Sequence, residues 1–277
     1  MFPWNIPVDV LIAILGNLSF RDLMSLRLMN RELDGLVGFE VKGRVHSIIR
    51  RFSTDPSVFL QHMEETKAVI SGSCTAILVA SANFEPGDLD VYVPYDQGSK
   101  LLGYLKDDGY HITYTRQIRL GLYRQEALLA TYRLTRYADG TGPVYNVLVT
   151  RTSSALHPIL RFDFSFVMNA ITSRGVISLY PVLTMRMEGI LNDKWLRTTA
   201  YPDSKRLAKY AKRGFSVVSP GSNGGLPIGS GMRHIKDRYS LFTPFGSQRG
   251  IWYAEGKEDL TWCSERDDPN WVYMLPS

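Results

Sequence analysis

"VISGSCTAILVASANFEPGDLDVYVP", residues 69–94, decides how the rest of the chain is read. Apolar residues run into Gly72-Ser73, a short segment able to form a helix follows, and beyond Pro86-Gly87 a second apolar strand carries Asp88 and Asp90. Side chains alternate along a strand, so the two aspartates point to the same side. Carboxylates placed in this way repel each other unless something positive lies between them, and a hard divalent cation is the usual partner. A glycine turn that opens a helix offers backbone N–H groups and the positive end of the helix dipole to an anion. Two plainer roles stay open. Asp88 also suits a turn after Pro86-Gly87, and Asp90 suits a hydrogen-bonded acid at a strand end.

The surrounding chain limits what such a stretch can belong to. The sequence has 277 residues, 44% hydrophobic, 21% charged and 12% aromatic, which supports a sizeable core and excludes global disorder. A formal net charge of +5 permits contact with phosphates without requiring it. Cys74 and Cys263 stand far apart and form neither a disulfide framework nor a zinc motif, which points to a reducing compartment. The apolar run "VLIAILGNL" near the start lacks a basic leader, follows Asp9 directly, and is too short to span a bilayer. A cytoplasmic or nuclear protein with no membrane partner is expected.

In front of the opening stretch, "IPVDVLIAILGNLSFRDLMSLRLMNREL" predicts two helices. Pro7 suits a first helical turn and Asp9 its positive end. Val8, Leu11, Leu15 and Leu18 share one face, while Val10, Ile12 and Ile14 cover much of the remainder. Ser19 is a suitable N-cap for the second helix, with Asp22 three residues on. About forty residues cannot hide this much apolar surface among themselves, so burial elsewhere, on a partner or on the chain's own core, is required.

Residues Ile6 to about Leu36 resemble the F-box. The elements are Ile6-Pro7-Val8-Asp9-Val10-Leu11, Ile14-Leu15-Gly16-Asn17-Leu18 and Asp22-Leu23-Met24-Ser25-Leu26-Arg27-Leu28-Met29-Asn30-Arg31, with Ile6 where the family has Leu. The resemblance implies docking on a Skp-type adaptor and the cullin complex of a RING ubiquitin ligase, through Pro7, Leu11, Ile14, Leu15 and Leu18. A substrate receptor of this kind needs no cofactor, only a surface for its target.

Residues 67–195 resemble the nucleotidyltransferase fold of the DNA polymerase beta superfamily, on Ile70-Ser71-Gly72-Ser73 and Asp88-Leu89-Asp90-Val91 in strand, helix, strand order. This resemblance implies Mg2+ held by Asp88 and Asp90, a nucleoside triphosphate against Gly72 and Ser73, and transfer of a nucleotide to a hydroxyl acceptor. A third carboxylate is expected from a later strand. "PVYNVLVT", 143–150, has the better position but carries Asn146 and no acid, and an amide cannot serve as a base. "ILRFDFSFVMNAI" supplies Asp163 in an apolar setting, where the acid needs a partner. That partner is a metal, Arg161, Ser165 or backbone N–H groups.

The expected class is α+β, with an N-terminal all-α module at 1–45 and a linker helix at 46–66 interrupted at Asp55-Pro56, where the helix should restart. A mixed-sheet nucleotidyltransferase-like domain at 67–217 and a glycine-rich loop with an aromatic tail at 218–277 complete it. Receptor is the first reading of function and nucleotidyltransferase the alternative. The basic segment "SKRLAKYAKRGF", 204–215, serves either as a solvated face or as a phosphate or RNA contact. Gly224 and Gly229 have P-loop spacing, but Ser230-Gly231 stand where Lys-Ser/Thr belongs, so no Walker A motif is present. Trp252, Trp262 and Trp271 make the tail a candidate target-binding surface. The histidines at 46, 62, 111, 157 and 234 have no zinc-ligand spacing, and no Gly-x-Ser-x-Gly elbow supports a hydrolase triad.

Overall fold

Four helices precede the sheet in the computed structural model, which describes residues 6–118, 127–137, 139–191, 204–218, 232–246 and 260–263. The glycine-rich stretch 219–231 and Trp252 and Trp271 lie outside the described residues. Helix α1, Val8–Gly16, starts at Pro7 with Asp9 in its first turn. Helix α2, Phe20–Arg27, is capped by Ser19, whose Oγ accepts from the Asp22 amide at 3.1 Å. Asn30 caps α3, Arg31–Ile49, by accepting from the Leu33 amide at 2.8 Å. Asp55 caps α4, Pro56–Thr66, with Pro56 in the first turn where a missing N–H is harmless. The helix restart expected at Asp55-Pro56 is found there. The boundary expected at residue 45 falls inside α3, which runs on to Ile49.

Sheet and helices then alternate: β1 Val69–Ser71, α5 Ser73–Ala80, β2 Leu89–Val93, α6 Gly98–Asp107, β3 His111–Gln117, β4 Leu128–Thr135 and β5 Val144–Thr150. Beyond these come β6 Asn169–Ile171, β7 Gly175–Ser178, α7 Pro181–Thr184, β8 Glu188–Gly189, α8 Ser204–Lys212, β9 Ser216–Val217, β10 Met232–His234, β11 Leu241–Pro244 and β12 Thr261–Cys263. Among the described residues the main sheet has eight strands in the order β11-β7-β6-β1-β2-β5-β4-β3. It is mixed, since β2 and β5 run parallel and the remaining pairs antiparallel.

Two expectations are corrected. The segment around Asp163 is not a strand: it forms two single 3-10 turns, Ile159–Arg161 and Ser165–Val167, before β6 begins at Asn169. The domain also does not close at 217, because β11 pairs with β7 from Leu241↔Ser178 to Pro244↔Gly175 and so completes one edge of the sheet.

The N-terminal helices do not form a module with a core of their own. Leu15, Phe20, Leu23, Val37, Val41, Val45 and Ile49 belong to one apolar cluster with Ile70, Leu89, Val91, Val93, Tyr145 and Val147 of the sheet. The Phe20 amide donates to Ser81 Oγ at 2.7 Å, tying α2 to the end of α5. Arg44 of α3 donates to the Leu15 and Leu18 carbonyls at 2.9 and 2.7 Å, which ties the end of α1 and the turn after it to α3. Burial of the surplus apolar surface against the chain's own sheet, rather than against a partner alone, accounts for much of the hairpin's hydrophobicity. Among the described residues no helix is long and apolar enough to cross a membrane.

Candidate functional site

The site forms where β1, β2 and β5 lie side by side. Ser71 is opposite Asp90, and Asp90 is opposite Asn146, so the three share one row across the sheet. Cross-strand partners face the same side. Asn146 Nδ2 donates to Asp88 Oδ2 at 3.0 Å and to Asp90 Oδ1 at 2.8 Å. One amide group therefore bridges both carboxylates and fixes their separation.

Gly72 makes this approach possible. It sits at φ 73° as the residue before α5, and a Cβ built on it would lie 2.5 Å from Asp90 Oδ2. Both the backbone angle and the contact exclude a side chain there. Ser73 is buried, and the Thr75 hydroxyl donates to the Gly72 carbonyl at 2.9 Å, so the turn is held from within. The Ser71 hydroxyl donates to the Asn169 carbonyl at 2.6 Å and anchors β1 to β6.

Burial pushes the Asp90 carboxyl up to about 6, and the charge of Asp88 adds to the rise. The hydrogen bond from Asn146 and the positive charges of Lys209 and Arg206 work against it. Those cations belong to α8, so the basic segment lies within electrostatic reach of the acid pair. Burial first, then the charges of Asp90 and Asp88, push the Cys74 thiol far up, and its Sγ donates to the Asp88 carbonyl at 3.3 Å. Tyr210 of α8 is raised to about 12 by burial and by Asp90.

Asp163 does not complete the pair. It is 9% exposed and forms an ion pair with Arg206 Nη1 at 2.9 Å. A largely buried carboxylate requires a charged partner, and α8 supplies it. Among the described residues no group of three or more His, Cys, Asp or Glu is placed to hold a metal ion. The place opposite Asp90, where a third acid is expected, belongs to Asn146.

The residues present nevertheless fit one hard cation. Mg2+ keeps several waters and is commonly held by one or two carboxylates together with substrate phosphates. A half-turn of the Asn146 amide would give up both hydrogen bonds to the acids and present its oxygen in place of its NH2, an exchange that a cation seated between the carboxylates would compensate. Asp88, Asp90 and the Asn146 oxygen would then be the protein ligands.

Of the expected adaptor contacts, Leu15 is 0% exposed and packed in the core, where it cannot meet a partner. Leu11 and Leu18 are partly buried, and Pro7 and Ile14 are exposed. The outward side of α1 consists instead of Val8, Val10, Ile12 and Ile14. Sequence alone does not reveal the role of Arg206, although an acid in an apolar run and an unassigned basic helix are both visible in it.

No family model matches the chain, and no curated protein matches it. Solved structures similar to it include two of a CCA-adding enzyme. One is "The structure of CCA-adding enzyme apo form I", with a TM-score of 0.43 and 13% identity over 64% of this chain. The other is "The complex structure of CCA-adding enzyme with CTP", with a TM-score of 0.42 and 12% identity over 63% of this chain. In each case 43% of the solved chain is covered, so the match spans under half the length of those proteins.

Proposed function

We propose that this chain binds a magnesium–nucleoside triphosphate at Asp88, Asp90 and the Gly72-Ser73 turn and transfers its nucleotidyl group, weakly, to a hydroxyl acceptor, with pyrophosphate leaving the α-phosphorus as the acceptor oxygen bonds to it and the hydroxyl proton passing to water. The observation that carries this reading is the bridge from Asn146 to both aspartates beside a turn whose glycine touches Asp90. Two carboxylates and the amide that bridges them converge on one point next to the start of a helix, where a phosphate is favoured. A bound magnesium ion would supply positive charge to the phosphate oxygens. The chain's own residues do the rest. Asp88 and Asp90 hold the charge in place, Gly72 lets the backbone come close, and Arg206 and Lys209 of α8 raise the positive potential beside the acids. Asn146 lends an oxygen but neither a negative charge nor a base, which accounts for the weakness of the transfer.

The test is incorporation of labelled nucleotide, read together with the thermal shift produced by Mg2+ and each of the four ribonucleoside triphosphates. A magnesium-dependent shift abolished by Asp88→Asn and Asp90→Asn is expected, with Asn146→Asp raising incorporation. No shift with any triphosphate, or incorporation that survives both Asp→Asn changes, would overturn the reading.

A second reading rests on another face. Val8 and Ile14 of α1 are 61% and 45% exposed, and Val10 and Ile12 lie beside them. A Skp-type adaptor of a cullin–RING ubiquitin ligase is the partner proposed for this face. Because Leu15 is core, the informative change is Val10→Asp with Ile14→Asp. Co-purification with the adaptor that this pair of changes leaves intact, or none by the unaltered chain, would sink the adaptor role.

A further inference from the structure

The row that holds the acids does not end at Asn146. Register across the sheet continues from Asp90 to Asn146, from Asn146 to Arg133 and from Arg133 to Tyr114. The neighbouring row runs from Tyr92 to Leu148, Thr131 and Arg116. Residues two apart on a strand share a face, so Tyr114, Arg116, Thr131 and Arg133 lie on the same face as Asp90 and Asn146. Next to β1 this face is covered by the cluster that contains Tyr92, Leu156, Ile159 and Leu160. Over β3 and β4 it is open among the described residues: Tyr114 is 54% exposed, and Arg116 and Arg133 are exposed as well.

Neither β3 nor β4 contains an acidic residue. On the other flank, Arg206 and Lys209 of α8 act on Asp90. The acid pair thus sits between two basic flanks, and one of them carries an open aromatic ring.

We propose that the open face over β3 and β4 binds a single-stranded polynucleotide, with Arg116 and Arg133 contacting phosphates and Tyr114 stacking on a base. This inference rests on the nucleotide reading above and names its acceptor. Arginines spaced along an open face suit a repeating anion, and an exposed ring suits an unpaired base, which every nucleotide supplies. Tyr114 stands three strands from Asp90, about 14 Å at the usual strand spacing, farther than one nucleotide seated at the acids would reach. A strand entering over Tyr114 and Arg133 would bring its end toward Asp90 and Asn146. The expected basic helix α8 is then one flank of the acceptor path rather than the whole of it.

The experiment is fluorescence anisotropy of the full chain with a labelled single-stranded oligoribonucleotide over a range of salt, with the duplex and polyglutamate as competitors. Tyr114→Ala should weaken binding at least about fivefold. Arg116→Gln with Arg133→Gln should lower the slope of log affinity against log salt by about 1.4, at about 0.7 per lost phosphate contact on a single strand. Circular dichroism and melting should be unchanged, since the three side chains are exposed. Absence of oligonucleotide binding by the unaltered chain, binding unaffected by the three changes, or equal competition by duplex or polyglutamate would each overturn the inference. The magnesium–triphosphate shift, measured on the same samples, separates the two readings. Loss of oligonucleotide binding with that shift intact leaves the nucleotide site standing, and the reverse result removes the nucleotide site and with it the acceptor role, leaving polynucleotide binding alone.

Discussion

Replacing Asp90 with Asn should stabilise the metal-free protein at neutral pH and do so less and less as the pH falls. Burial and the neighbouring Asp88 raise the Asp90 carboxyl from 3.8 to about 6. The folded state therefore holds a proton there that the unfolded chain has already lost between these two values. Stability contributed by this group falls as pH rises from about 4 to about 6 and stays low above that. At 1.36 kcal/mol per pH unit, the full cost above pH 6 is about 3 kcal/mol. Asparagine carries no charge to desolvate, and its side-chain oxygen can still accept from Asn146. The expected gain of Asp90→Asn is thus about 2–3 kcal/mol at pH 7.5, shrinking toward zero near pH 4. Urea unfolding of both proteins at pH 4, 5, 6 and 7.5, in chelator, measures it. Added magnesium should stabilise the unaltered protein at pH 7.5 and leave Asp90→Asn nearly unchanged. A difference between the two proteins that does not vary with pH would refute a raised Asp90 carboxyl and, with it, the strain between the paired acids.

Three further outcomes are expected. Gly72→Ala places a Cβ 2.5 Å from Asp90 Oδ2 at φ 73°, so it should cost about 1–3 kcal/mol in chemical denaturation and abolish the magnesium–triphosphate shift. Arg206→Met leaves the buried Asp163 without its ion pair; because Arg206 is itself exposed and partly screened, a loss of about 1–2 kcal/mol is expected at pH 7, as read by urea unfolding. Leu15→Ala should cost about 2–5 kcal/mol, whereas Ile14→Ala next to it should change melting little, since Leu15 is 0% and Ile14 45% exposed.

The local features of the site are legible in the sequence because they depend on near neighbours along the chain. Asp88 and Asp90 share a side through strand alternation, and the glycine turn before α5 follows from a strand that must reverse into a helix. The helix starts at Pro7, Ser19 and Pro56 are readable for the same reason, as each cap acts within one turn. Asn146 can be named from strand order, but its bond to both acids depends on the parallel pairing of β2 with β5, 56 residues apart for the Asp90 contact.

The sequence by itself determined the local code of this protein: caps, periodicity, the Gly72-Ser73 turn and the paired acids. Tertiary structure alone decided what each side chain meets. It placed Leu15 in a core shared with the sheet and left Ile14 in solvent, although both are apolar neighbours on one helix. It gave Asp163 to Arg206 rather than to the acid pair, and it added β11 to the sheet from beyond the expected boundary. It also ran one row from Asp90 out to Tyr114. The reason is physical. Burial, ion pairing and strand register are set by segments tens of residues apart, and no window of sequence contains both partners.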